Sequence, residues 1–434
     1  MGHERTSTVS LTDRSGWQRW LALALVVAVI PGALCALRAR RLYVAKKELR
    51  RELGIHAELE LTAPRPAVVA ADRDGTPALR AALGQLTLDD TERIALRAFL
   101  KRGDDLDLPG ERLVDLARRN AQSLDLASET LGGIHEWSWP EAADGLVSRT
   151  LLLAYGDLAA LLGVRALAEL AERGDPVRGW KALGCALEVE RAMALACTPA
   201  EIGLRSDIAT GTSECAAAML RRGRAPDPAT ARELRRAFVH GDLDLERCHA
   251  TELARMVVEV KAFLEDGSGR LCDDYVAQGG STVELWLRRG LASRALVEGL
   301  SLERLALQCA QLTPPADQLA RTIELEDAWR GWLRASRVHL LYRITPLSLL
   351  ERHWAHRRTR GALAVALALA TYRAQHGRWP DGLPALVGEH LDRLAPDPLT
   401  GQLPLYTRAG PDAEVRLVPD PRLPELRRRW QVGG

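Results

Sequence analysis

His353 and His356, in the stretch ERHWAHRR, come nearest of all residues in this chain to a chemical signature. Three positions apart on a helix, two imidazoles can share one metal ion. The neighbours oppose that reading. Arg352, Arg357 and Arg358 would repel a cation, and no HExxH arrangement is present. The stretch therefore reads as an exposed basic face. Asp273 and Asp274 follow Cys272, but adjacent carboxylates on a helix point in different directions, so a solvated pair is expected. Cys248-His249 is a thiol next to an imidazole, yet such a pair works only when the groups meet in space. No GxSxG, no P-loop and no GxGxxG opening a helix occurs. No catalytic, cofactor-binding or metal-binding residue is assigned, no cofactor is expected, and the expected role is non-enzymatic.

The elements that would position such groups are mainly helical. The chain has 434 residues, 47% of them apolar and 27% charged, as in a folded protein able to bury a sizeable core. Aromatic residues make up only 5%, with 11 Trp against 3 Phe, while Ala, Leu and Arg dominate and favour helix. A net charge of +2 gives no reason to expect nucleic acid as a partner. Apart from Cys35, six cysteines occur: Cys185, Cys197, Cys215, Cys248, Cys272 and Cys309. None forms a CxxC pair, and a core this large does not need bridges. Buried thiols and partial bridging both stay open.

From Trp20 to Leu37 the chain runs 18 residues without a charge, nine of them Leu, Ile or Val. As a helix this stretch is about 27 Å long, close to the hydrocarbon thickness of a bilayer. Trp17 and Trp20 suit one interface, and Arg38, Arg40 and Arg41 the other. A single-pass anchor over residues 17–37 is expected, contacting lipid. Pro31-Gly32 before Ala33-Leu34-Cys35 is also similar to the end of a cleavable signal, but the arginines just beyond resist translocation. Residues 38–51 hold seven Lys or Arg, against three in residues 1–19, which puts the C-terminal bulk in the cytoplasm. Residues 38–60 read as a basic juxtamembrane helix breaking at Gly54, with a lipid-facing basic surface or a solvated stalk as its two readings.

Residues 61–87 read as a linker around TAPRPAVVAADRDGTPA. Helical spacing then continues through residues 88–345, as in Leu113, Ala117, Ala121 and Leu124, in Val177, Trp180, Leu183 and Leu187, and in Leu253, Met256, Val260 and Phe263. Breaks are expected at Gly174-Asp175-Pro176, Ala225–Pro228, Asp266–Gly269 and Thr313-Pro314-Pro315. Ser281 to Glu284 form a capping-box pattern, and Thr345-Pro346 marks another start. Residues 161–195 look like a helical hairpin, loosely tetratricopeptide-like, without a clean 34-residue period. A hairpin array and an irregular bundle both fit. Residues 361–372, GALAVALALATY, are too short to span a bilayer and read as a buried helix.

The end of the chain has the most distinctive order. Tyr372 closes a helix, Gly377 permits a left-handed turn, Trp379-Pro380 pack it down, and Leu383 and Leu386 begin a short amphipathic piece. Asp397-Pro398 opens a turn closed by Thr400-Gly401, leading to a strand at Leu405-Tyr406.

This order, Tyr-x3-His-Gly-x-Trp-Pro-x2-Leu and then Asp-Pro-x-Thr-Gly, resembles the C-terminal portion of type II secretion major pseudopilins. With the N-terminal run and the long helical region, the chain also resembles a group of uncharacterised bacterial single-pass membrane proteins. The resemblance implies a C-terminal helix and pseudopilin-like cap over residues 346–434 and a cell-envelope setting, which would make the large part periplasmic. The chain departs from pseudopilins in lacking a Gly-Phe-Thr-Leu-x-Glu cleavage site, since DRSGWQRW precedes the apolar run. It also inserts about 300 helical residues, so a filament-subunit role is not implied.

The expected molecule thus has a flexible tail over 1–16, a transmembrane helix, a mainly α soluble region and a small cap with one or two short strands. It is expected to act as a membrane-anchored scaffold binding a protein partner. The alternatives are an accessory part of a secretion or pilus-like system, and an envelope hydrolase whose site between helices would use His353, His356 or Asp273.

Overall fold

The computed structural model describes residues 13–58, 69–70, 73–100, 109–133, 136–137, 149–193, 198–239, 243–265, 282–313, 315–336, 345–419 and 429–433. Helix dominates, with a small antiparallel sheet at the C-terminus. The chain divides into two compact units. One holds residues 1–61, 253–302 and 329–341, the other residues 62–252, 303–328 and 342–434.

In the first unit, α1 (Asp13–Glu58) is one continuous helix of 46 residues. The expected break at Gly54 does not occur, and Pro31 lies inside the helix. A proline removes a single backbone bond, and the strong helix formers on both sides carry the helix past it. Along the apolar run, Trp20, Val29, Ile30, Leu34 and Leu37 are exposed, Trp20 by 71%. Farther on, Ala45, Leu49 and Glu52 repeat at steps of four and three and are buried, while Arg40, Arg41, Lys47, Arg50 and Arg51 stay exposed. The unit also takes in parts of α10 (Leu245–Glu265), α11 (Thr282–Ala310) and α12 (Pro315–Ser336). Leu253, Met256, Val260 and Phe263 are all buried, as their spacing predicts. Gly299 on α11 lets Trp332 of α12 approach so closely that an added Cβ would stand 2.5 Å from the indole. Trp329 meets Trp332 edge-on at 5.5 Å. The Ser281 capping position and the break after Asp266 lie outside the described residues.

The second unit is built around a hairpin of α6 (Arg149–Arg173) and α7 (Pro176–Ala192). Gly174 takes φ of 60°, and the Asp175 carboxylate caps α7 by accepting from Arg178 N at 3.1 Å, so the Gly-Asp-Pro break is where the spacing puts it. α8 (Pro199–Arg221) packs on both helices. Its capping box, Thr198 with Glu201, was not anticipated. Gly179 permits the close approach there, because a Cβ would meet the Ala166 carbonyl at 2.8 Å. α9 (Pro228–Val239) and α13 (Pro346–His376) complete the central layer. In α13, residues 362–370 are buried all round. Each fully buried Leu or Val there adds about 1.5–3 kcal/mol.

The shorter helices α2 (Thr76–Gly84), α3 (Asp90–Leu100), α4 (Glu111–Arg119) and α5 (Ala121–Leu131) pack around α6. α2 falls within the stretch expected as linker and buries Leu79, Ala82 and Leu83. The face drawn from Leu113 to Leu124 is split between α4 and α5 at Asn120, whose side-chain oxygen accepts from Thr87 N at 2.8 Å, and Ala121 is exposed. Val177 is exposed by 63%, whereas Trp180, Leu183 and Leu187 are buried. Val177 lies in the first turn of α7, beside the Gly174–Pro176 turn that closes the hairpin.

The cap follows α13. Gly377 ends the helix at φ of 68°, and a 3-10 turn, η1 (Leu383–Leu386), buries both leucines. The sheet has three strands in the order β1 (Leu405–Ala409), β2 (Asp412–Arg416), β3 (Arg429–Val432). That corrects the expectation of one or two. Ala413 and Val415 of β2 pair with Val432 and Trp430 of β3 and turn the same face inward. β3 escapes detection in the sequence because it is four residues long, with arginines running into it.

Candidate functional site

Thr345 caps α13 by accepting from Ser348 N at 3.2 Å, and Pro346 begins the helix, so the HWAHRRTR stretch is helical as expected. It is not an exposed basic face. His353, His356, Arg358 and Arg360 are all buried, and Arg357 is the exposed member of the run. Distant acidic residues account for the difference. Glu190 of α7 sits 3.3 Å from Arg205 of α8, accepts from Arg360, and lies 3.7 Å from His356 Nε2. Burial raises the Glu190 carboxyl, and the two guanidiniums beside it oppose that rise. Breaking such a pair leaves an uncompensated charge in the interior. The arrangement suits a clamp that fixes α7, α8 and α13 together.

His353 has its own setting, with Arg205 of that knot acting on it as a positive charge. Its ring packs edge-on against Trp354 at 4.7 Å. Burial, with Arg357 adding to it, pushes its imidazole down to about 3, so it is neutral at physiological pH. Among the described residues its Nδ1 has no hydrogen-bond partner. One turn on, Arg358 reaches Asp397 at 2.6 Å and the Val418 carbonyl at 2.6 Å. Asp397 also accepts from Leu399 N at 2.9 Å, and Gly401 N closes the turn on the Asp397 carbonyl at 2.8 Å. The Asp-Pro-x-Thr-Gly motif is therefore a closed turn held to α13 through a buried ion pair.

Asp273, Asp274, Cys272 and Cys197 lie outside the described residues. Cys248 belongs to a cluster with Ile202, Leu319 and Trp354, while the neighbouring His249 meets Glu303 through Nδ1 at 2.7 Å. Among the described residues, Cys35, Cys185, Cys215 and Cys309 are free thiols. Burial pushes Cys215 up to about 12, so it is an inert packing group.

Sequence reasoning passed over one constellation. His376, at the last position of α13, meets Glu389 and His390 from the segment after η1, with their ligand-type atoms all within 4.8 Å of one another. His390 is buried and the other two are exposed. Burial lowers the His390 imidazole; Glu389 opposes the shift, and Arg235 and His376 add to it. The 12 positions between His376 and Glu389 hide this cluster in the sequence, since the Gly377 turn and η1 fold them back. Nearby, a cleft of about 140 Å³ is lined by Leu220, Ala370, Arg373 and Trp379, among others. That is below the roughly 300 Å³ at which small-molecule sites begin.

No family model, curated protein or solved structure matches this chain.

Proposed function

We propose that the protein is a membrane-tethered helical scaffold, with residues 17–37 in the bilayer and the helical surface behind them engaging a protein partner. One observation carries the reading: an uncharged helical run whose described side chains, Trp20, Val29, Ile30, Leu34 and Leu37 among them, are exposed, followed directly by exposed arginines and lysines. Exposed apolar residues gathered on one segment mark a contact with lipid or protein. An uncharged length of about 27 Å ending in a basic cluster favours lipid. Among the described residues, one helix, Thr150–Glu172, is long and apolar enough to cross a membrane, and 67% of its window is buried. It serves as a core helix.

The hydrolase alternative loses ground because His353 and His356, at 8% and 2% exposure, are not presented to a substrate. The observation favouring an accessory role in a secretion or pilus-like system is the cap, where helix end, Trp-Pro turn, Asp397 turn and strand follow one another in the pseudopilin-like order. Deleting residues 371–408 and assaying assembly separates that role from a general scaffold. The basic stretch favours a cytoplasmic helical part, the resemblance a periplasmic one. A one-sided reporter fused after residue 88 decides between them. The scaffold reading itself is tested by affinity capture of the full chain from detergent extracts after crosslinking in cells. A single stoichiometric partner is expected. Repeated capture of none would overturn it.

A further inference from the structure

We propose that His376, Glu389 and His390 form a three-ligand site for a divalent transition-metal ion of the zinc class, its remaining coordination position open to water. Two imidazoles and one carboxylate make a borderline donor set suited to zinc, cobalt or nickel rather than calcium or magnesium. The three ligand atoms already lie within 4.8 Å of one another. Bonds of about 2.0–2.2 Å need donors about 3.3 Å apart, which rotation of the two exposed side chains can supply. The fixed member is His390. Its side chain is 2% exposed, and among the described residues its buried Nε2 has no hydrogen-bond partner. An interior imidazole nitrogen left in that condition calls for an explanation, and a metal ion supplies one.

The backbone around the cluster is set. Gly377 at φ of 68° stops α13 just after His376, and Gly388 at φ of 98° turns the chain into Glu389. His390 N donates to the Leu386 carbonyl at 3.0 Å, and Gly388 N to Leu391 at 2.8 Å. The Tyr372 ring packs on both imidazoles, 4.2 Å from His376 and 5.5 Å from His390. Arg232 and Arg235 of α9 act on His390 as nearby positive charges and weaken cation binding. The Glu389 carboxylate works against them, which gives it a definite part in affinity. A bound ion would join the end of α13 to the segment leading into the sheet.

The test uses the untagged full chain in detergent, with Zn²⁺ in equilibrium dialysis and Co²⁺ followed by its visible absorption. Relative to the unaltered chain, His376→Ala should lose one equivalent of metal and the corresponding Co²⁺ band. Glu389→Gln should weaken binding by at least about tenfold. His390→Ala should behave like His376→Ala. Because His376 is exposed, its replacement decides the matter even if His390→Ala fails to fold. Absence of metal binding by the unaltered chain, or unchanged stoichiometry and spectrum in His376→Ala, would overturn the site.

Discussion

Two apolar helical stretches meet opposite fates in this molecule. Thr150–Glu172 of α6 satisfies the length and hydropathy needed to cross a membrane, yet most of it is buried among α7, α8 and the short helices. Trp20–Leu37 of α1 is uncharged over 18 residues, and its described side chains face outward. Composition alone does not separate them. What separates them is what their neighbours in sequence allow. α6 is followed by a tight Gly-Asp-Pro turn and a helix that covers it, whereas α1 continues into a basic stretch that does not.

The sharpest way to break this contrast is to place one charge in each helix. Leu162→Asp, at a fully buried position, should cost roughly 5 kcal/mol or more and abolish the cooperative thermal transition. With residues 17–37 in the bilayer as proposed, Val29→Asp, at a position 55% exposed, should leave the thermal transition unchanged and weaken membrane retention. A similar loss of the transition in both variants would erase the distinction.

The core also accepts charge when it is paired, and removing the pairing partner tests that. Glu190→Ala leaves Arg205 and Arg360 without their shared carboxylate and should destabilise the protein by about 3–5 kcal/mol, read in denaturant unfolding. A loss that grows gradually with falling pH is expected from acid acting on His353. Its folded-state value, about 3, lies below the ordinary 6.5, so the unfolded chain binds the extra proton between those values. Its contribution to stability is complete above pH 6.5 and declines steadily down to about pH 3. His353→Gln should flatten that part of the pH–stability curve. The smallest effect is expected at Gly377→Ala, about 1 kcal/mol, from forcing a Cβ into a left-handed helix end.

The helix boundaries were legible because they depend on local chemistry. Gly174-Asp175-Pro176, Thr345-Pro346 and Gly377 act on backbone angles and caps within a few residues, and each break or start falls where those residues stand. The continuous burial of residues 362–370 could likewise be read from their unbroken apolarity. The polar interior could not. Arg360 and Glu190 are separated by 170 positions, so nothing near ERHWAHRR shows that its charges are matched from elsewhere. Local sequence made those arginines look solvated. The third strand and the His376–His390 cluster failed for the same reason, since each exists only after the chain folds back on itself.

Alkaline carbonate extraction of membranes containing the full-length chain tests the proposed anchor most directly. The chain should stay with the membrane pellet at its intact mass, and a version lacking residues 1–37 should move to the supernatant while keeping its helical circular dichroism. Recovery of the intact chain in the supernatant would contradict the account, as would a product trimmed near Cys35.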